Sequence, residues 1–157
     1  MTIRTSDEGL DLITELEGEK LSAYLDGGGV PTIGVGHTRG VKMGQKITAE
    51  QSRAFLIEDV QEAEETILRH IPARIYMALP WQAWDALASF VFNLGDQAFK
   101  DPATGRLTGI ARAIMGEQWD AVPAQMKRWV FDNGKKVKGL ENRRKREAAL
   151  WESAWPK

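Results

Sequence analysis

Apolar residues recur at helical spacing over most of this 157-residue chain, and the stretch that breaks the pattern is residues 15–38, ELEGEKLSAYLDGGGVPTIGVGHT. It holds six glycines, and two short extended runs, 21–26 and 30–35, flank Gly27-Gly28-Gly29. Such runs on either side of a glycine turn predict an antiparallel hairpin. Pro31 confines its strand to an edge, because proline has no N–H to give an inner ladder. One small hairpin in a helical chain predicts an α+β fold: a small antiparallel sheet lobe and a mostly helical lobe, joined by a long helix.

The helices announce themselves at their ends. Ser6 followed by Asp7 and Glu8 offers an N-cap hydroxyl and acids at the positive end of the dipole, and Gly18 is a natural stop. Thr48 with Gln51 forms a capping box, opening a helix expected to run to about Arg69, with Phe55, Leu56, Val60, Ala63, Ile67 and Ile71 on one face. After Pro80, the residues Trp81, Trp84, Leu87, Ala88, Val91 and Leu94 make a stripe wide enough for a central core helix capped by Gly95. Shorter helices are expected over 108–115, 117–121 and 123–130, and a last one over about 140–154, stopped by Pro156. Trp81, Trp84, Trp151 and Trp155 lie at helical spacing and are read as core. His70, at a helix end, is read as a complement to the dipole. The chain is read as one domain, with a sheet lobe over about 18–60 and a helical lobe over 1–17 and 70–157.

Composition removes several kinds of chemistry. Without cysteine there is no disulfide, thiol nucleophile or thiolate metal site, and two histidines make a poor metal centre; no metal or cofactor is expected. No run approaches the roughly 18 apolar residues of a membrane helix. MTIRTSDEGLDL lacks the pattern of a signal peptide, so synthesis in the cytoplasm is expected. The net charge of −1 hides an asymmetry: residues 1–70 carry 13 acids and 7 bases, residues 71–157 carry 9 acids and 14 bases. Nine of those bases fall in KRWVFDNGKKVKGLENRRKR, a stretch suited to an anionic polymer or lipid, or to a solvated basic helix face.

Gly-rich segments also cradle phosphates. Here, however, GVGHTRG is one residue too long for the dinucleotide fingerprint, no GK[ST] follows, and the glycines belong to a hairpin rather than a strand-to-helix turn. The carboxylates are more informative. Glu17 shares a helical stripe with Leu10 and Ile13 and sits in the last turn, at the negative end of the dipole. Both features disfavour the charged form, as suits a general acid. Glu15 and Glu19 point elsewhere. Asp26 opens the glycine turn, nearer water, and is expected to stay ionised. Two carboxyls in opposed environments are the acid and base pattern of a glycosidase, with Thr32 across the hairpin to help hold a water. Taken singly, each has a plainer reading as helix end, turn former or strand residue.

Together, Glu17-x8-Asp26-x5-Thr32 followed by TIGVGH resembles the catalytic signature of the phage-type lysozymes, glycoside hydrolase family 24. ITAEQSRAFLIEDV is similar to the start of that family's interlobe helix, ALASFVFNLG to its central helix, and KRWVFDNGKKVKGLENRRKREAALW to its C-terminal region. The resemblance implies an endolysin that hydrolyses the β-1,4 bond between N-acetylmuramic acid and N-acetylglucosamine in bacterial peptidoglycan, with inversion. Glu17 would protonate the leaving oxygen, Asp26 would position or activate water, and Thr32 would assist. Arg143 matches an arginine that orients the acid. His37 and Asp59 match a structural clamp between sheet and interlobe helix; such a pair would favour the charged form of each partner and place maximal stability on the acid side of neutrality. Asn93 matches an amide that lines the cleft and would bind an acetamido group, beside the plainer reading of a buried helix amide satisfied by backbone, and Trp129, amid the bases, is a candidate cleft contact. The implied partners are peptidoglycan and a holin that releases the enzyme from the host cytoplasm to the periplasmic wall, with no nucleic acid and a monomeric state. A lytic transglycosylase and a non-catalytic wall-binding module are the alternatives.

Overall fold

The computed structural model describes residues 2–155. Helix α1, Asp7–Glu17, begins where the Ser6 hydroxyl accepts from the Gly9 N–H, and stops at Gly18, whose φ of 78° side chains rarely adopt. Strands β1, Lys20–Leu25, and β2, Pro31–Gly34, pair antiparallel, with Tyr24 opposite Thr32, Leu25 opposite Pro31, and an irregularity between Lys20 and Tyr24. Returning chain covers the far side of β1, where Ala23 N donates to Gln45 O and Ile47 N to Leu21 O. Pro31 is therefore left on the outer edge.

Helix α2, Ala49–His70, carries the complete capping box: Gln51 N donates to Thr48 Oγ1 at 3.1 Å and Thr48 N to the Gln51 side chain at 2.9 Å. Its 22 residues span about 33 Å at ~1.5 Å each, enough to join the hairpin to the helical body. The short α3, Ala73–Tyr76, follows Pro72. Helix α4, Trp81–Leu94, is buried without a break from Ala83 to Val91 and packs against α1, α2 and the C-terminal helix, making it the axis of the core. Helices α5, Gly109–Met115, and α6, Val122–Met126, close the body, and α7, Lys138–Ser153, lies along α4. The main core gathers around Trp84, Phe90, Ile114 and Trp151; a smaller one, of Leu10, Ile13, Val35, Leu56 and Val60, binds the hairpin to the helices.

Two buried acids fasten the start of α1. Glu64 on α2 accepts from Thr5 N at 2.7 Å, Thr5 Oγ1 at 2.6 Å and Trp84 Nε1 at 3.1 Å, while Asp85 on α4 accepts from Ser6 N at 3.0 Å and from the Ser6 hydroxyl. Burial pushes the Asp85 carboxyl above its ordinary range, against the Ser6 hydrogen bonds.

The basic stretch departs from expectation. The helix expected over 123–130 ends at Met126, and the chain forms a second hairpin, β3 Phe131–Asp132 with β4 Lys135–Lys136, before α7 begins at Lys138. Asn133 and Gly134 turn it with φ values of 49° and 77°, the double positive φ that an Asn-Gly pair tolerates. Lys135 and Lys136 thus belong to an exposed ribbon and not to a helix face. Among the tryptophans read as core, Trp84 and Trp151 are buried and Trp155 is half-buried, but Trp81 is 48% exposed, because the burial of α4 begins only at Ala83. His70 does more than complement a dipole: with Arg69 it grips Asp96, at 2.9 and 3.0 Å. Pro156 lies outside the described residues.

Candidate active site

Of the three acids around the end of α1, two are engaged elsewhere. Glu15 pairs with Arg146 at the surface, and Glu19 accepts from Ser52 Oγ at 2.7 Å. Glu17 turns inward, about a quarter exposed, with Oε1 2.6 Å from Arg143 Nη1 of α7. The helical stripe proposed from Leu10 and Ile13 thus delivers one carboxyl to the junction of α1, α7 and the hairpin. Gly36, with φ 69°, leaves room beside it: a Cβ there would stand 3.7 Å from Glu17 Oε2. From Gly36 a cavity of about 320 Å³ extends between the hairpin and the helices, lined also by Thr38, Asp59, Glu62, Phe92 and Gly95.

Asp26 is exposed at the mouth of the glycine turn. Its Oδ1 accepts from Gly28 N and Val30 N, both at 2.8 Å, and its own N–H and C=O complete the turn through Val30 and Gly29. Among the described residues its second oxygen has no protein partner. Thr32 is buried opposite Tyr24, not opposite Asp26, and its hydroxyl donates to Val30 O at 2.8 Å. With its proton so committed, that oxygen offers only lone pairs to a further group.

Beneath Glu17 lies a buried ionic network that sequence reasoning reached only at Arg143. Glu147, fully buried on α7, accepts from Ser89 Oγ at 2.6 Å and from Arg143 Nε at 3.2 Å; Arg143 Nη2 donates to Ser89 O at 3.0 Å. Arg144, also fully buried, places Nε 3.0 Å from Glu147 Oε1, close enough for an ion pair but not aligned as a hydrogen bond. It lies over the Phe90 ring at 4.9 Å. Burial pushes the Glu147 carboxyl up and the Arg144 guanidinium down to about 10, in each case against the attraction of the other. Arg144 Nη2 donates to Asn93 Oδ1 at 2.6 Å, so half-buried Asn93 keeps its amide N–H groups free to donate. Arg144, Glu147 and Ser89 escaped notice because a Glu three and four residues after two arginines reads as a surface helix pair; only burial distinguishes this one.

Trp129 packs, partly buried, against the main core. Its ring meets Phe90 edge-on, with centroids 6.0 Å apart, and it lines a separate groove with Gln97, Arg106, Arg112 and Arg128.

His37 and Asp59 do meet: Nδ1 to Oδ2 is 2.8 Å, and the imidazole stacks on Phe55 at 4.2 Å. The expected electrostatics are corrected for the acid. Burial raises the Asp59 carboxyl above its ordinary range and outweighs the hydrogen bond and charge of His37. A carboxyl raised on folding binds its proton more tightly in the native state. Its contribution to stability is therefore present in acid and is lost as pH rises through its folded value, the reverse of a depressed aspartate. In Asp59→Asn, which can still accept from the imidazole, the decline of melting temperature as pH rises from the ordinary carboxylate range toward neutrality should be shallower than in the parent. Thermal melts over that range check this; identical slopes would remove Asp59 as their source.

The model of the family described as phage lysozyme matches residues 14–147, from α1 through α7. The chain belongs to the phage lysozyme family. It is 37% identical to the endolysin of Acyrthosiphon pisum secondary endosymbiont phage 1, over 95% of this chain and 98% of that one, and 35% identical to the endolysin of Salmonella phage P22 over the same shares. Its fold is similar to the crystal structure of the active form of P1 phage endolysin Lyz, with a TM-score of 0.85 and 29% identity over 97% of this chain and 86% of that one. As a phage lysozyme it is a peptidoglycan-degrading enzyme of the endolysin class. Glu17, Asp26, Thr32, His37, Asp59, Asn93, Trp129 and Arg143 all lie within the span matched by the phage lysozyme model.

Proposed function

We propose that this endolysin hydrolyses the β-1,4 glycosidic bond between N-acetylmuramic acid and N-acetylglucosamine, with Glu17 as general acid and Asp26 as the carboxylate that holds the attacking water. The observation that carries the reading is the contrast between two carboxyls. Glu17 is held by Arg143 at 2.6 Å beside the space left by Gly36, while Asp26 is pinned through Oδ1 to its turn with Oδ2 open. The first is placed to hand a proton to a leaving oxygen, and the second to accept one from water. Thr32, its proton given to Val30 O, would accept a hydrogen bond from the same water. Asn93 would donate its amide to an acetamido carbonyl. Trp129 would offer its ring beyond that point, in the arginine-lined groove.

The enzyme acts on the cell wall. We propose that it does so as a monomer, made in the host cytoplasm and released by a holin; among the described residues no helix is long and apolar enough to cross a membrane. Digesting purified peptidoglycan and identifying the new ends by mass spectrometry tests the chemistry. Reducing N-acetylmuramic acid ends are expected, whereas 1,6-anhydro ends would assign a transglycosylase and intact glycan a binding module.

A further inference from the structure

We propose that Glu147 is a positioning residue that sets two cleft groups at once, fixing Glu17 through Arg143 and the amide of Asn93 through Arg144. The inference rests on the reading of Glu17 as the proton donor and of Asn93 as a substrate contact.

Every nitrogen of the Arg143 guanidinium has an assigned partner: Nε gives to Glu147, Nη2 to Ser89 O and Nη1 to Glu17. A planar fork held at two corners cannot rotate, so its third corner fixes where the Glu17 carboxyl sits. Arg144 works in the same way on the neighbouring group. Glu147 attracts its Nε, the guanidinium lies over the Phe90 face, and Nη2 donates to the Asn93 oxygen, which leaves the amide N–H groups to donate elsewhere. The two arms leave one carboxylate by different oxygens: Oε2 receives Arg143 and Ser89, and Oε1 faces Arg144.

A purely structural role accounts poorly for this arrangement. Three charged side chains with 0%, 0% and 6% exposure are costly to bury, and apolar residues of similar volume hold a core at least as well. The charges instead run outward from one point to two half-buried groups, one on α1 and one on α4.

Because the arms are separate, they can be cut separately. In Ser89→Ala, Oε2 loses its hydroxyl donor while the Arg144 arm is untouched; kcat should fall several-fold with KM nearly constant. In Arg144→Met, Glu147 keeps Arg143 as counter-ion but Asn93 is released; KM should rise about fivefold or more with kcat held within about twofold, the signature of lost uniform binding. Glu147→Gln should do both. The assay is steady-state cleavage of a soluble peptidoglycan oligosaccharide, with thermal melts in parallel and Glu17→Gln as reference. If Glu147→Gln does not fold, the other two variants carry the test alone. Equal changes in kcat and KM across Ser89→Ala and Arg144→Met, or changes that follow only the fraction unfolded, overturn the positioning role. Should Glu17→Gln itself remain active, the glycosidase reading fails independently of Glu147.

Discussion

Glu17→Gln is expected to reduce wall cleavage by on the order of 10²-fold or more, the share of a glycosidase rate that a positioned general acid supplies. The leaving oxygen of a sugar departs poorly as an alkoxide, so its protonation cannot be omitted, and an amide has no proton to give. Glutamine retains the length and shape of the side chain, and its oxygen can still accept from Arg143 Nη1, now 2.6 Å from Oε1. The fold should survive, because the small core at Leu10, Ile13, Val35, Leu56 and Val60 does not depend on this charge. Release of reducing ends, measured with the melting temperature, separates loss of chemistry from loss of structure. A folded Glu17→Gln variant with parental activity would sink the mechanism, and the glycine hairpin would need another explanation.

Asp26→Asn is expected to lose most activity for a different reason, with a comparable effect on rate. The turn uses only Oδ1, which accepts two backbone N–H groups at 2.8 Å. An asparagine can keep both with its carbonyl oxygen, so the hairpin and its pairing of Leu25 with Pro31 should persist. What changes is the open position: an acceptor becomes an NH₂ donor, which can neither orient a water by its proton nor receive that proton. A transglycosylase, which closes an anhydro ring without attacking water, would tolerate the substitution. Parental rates with Asp26→Asn, together with anhydro products, would therefore convert the assignment from hydrolase to lyase.

The parts of this protein that were legible beforehand share a short range in sequence. Ser6 capping α1, Thr48 and Gln51 closing their box, Gly18 and Gly95 ending helices, and the turn at Gly27–Gly29 all involve residues no more than a few positions apart. Their energetics need no knowledge of the rest of the chain. The proposed site was read in the same way, from residue types at fixed intervals between Glu17 and Thr32. The second hairpin was equally local, since Asn133-Gly134 is a strong turn signal, but the nine bases around it drew the reading toward charge and a helix face.

The sequence by itself thus determined most of the elements, the α+β class and the carboxyls proposed for the site. Tertiary structure alone decided which charges are buried together. Glu147 meets Ser89 across 58 positions, and Thr5 meets Glu64 across 59. In the linear chain Glu147 reads as the solvated helix partner of two arginines, because helical periodicity says which face a side chain occupies but not what will pack on that face. The raised carboxyl of Asp59 belongs to the same class. Sequence supplied its partner, but the extent of burial, which exceeds the pull of His37, exists only once α2 and the hairpin have closed over it.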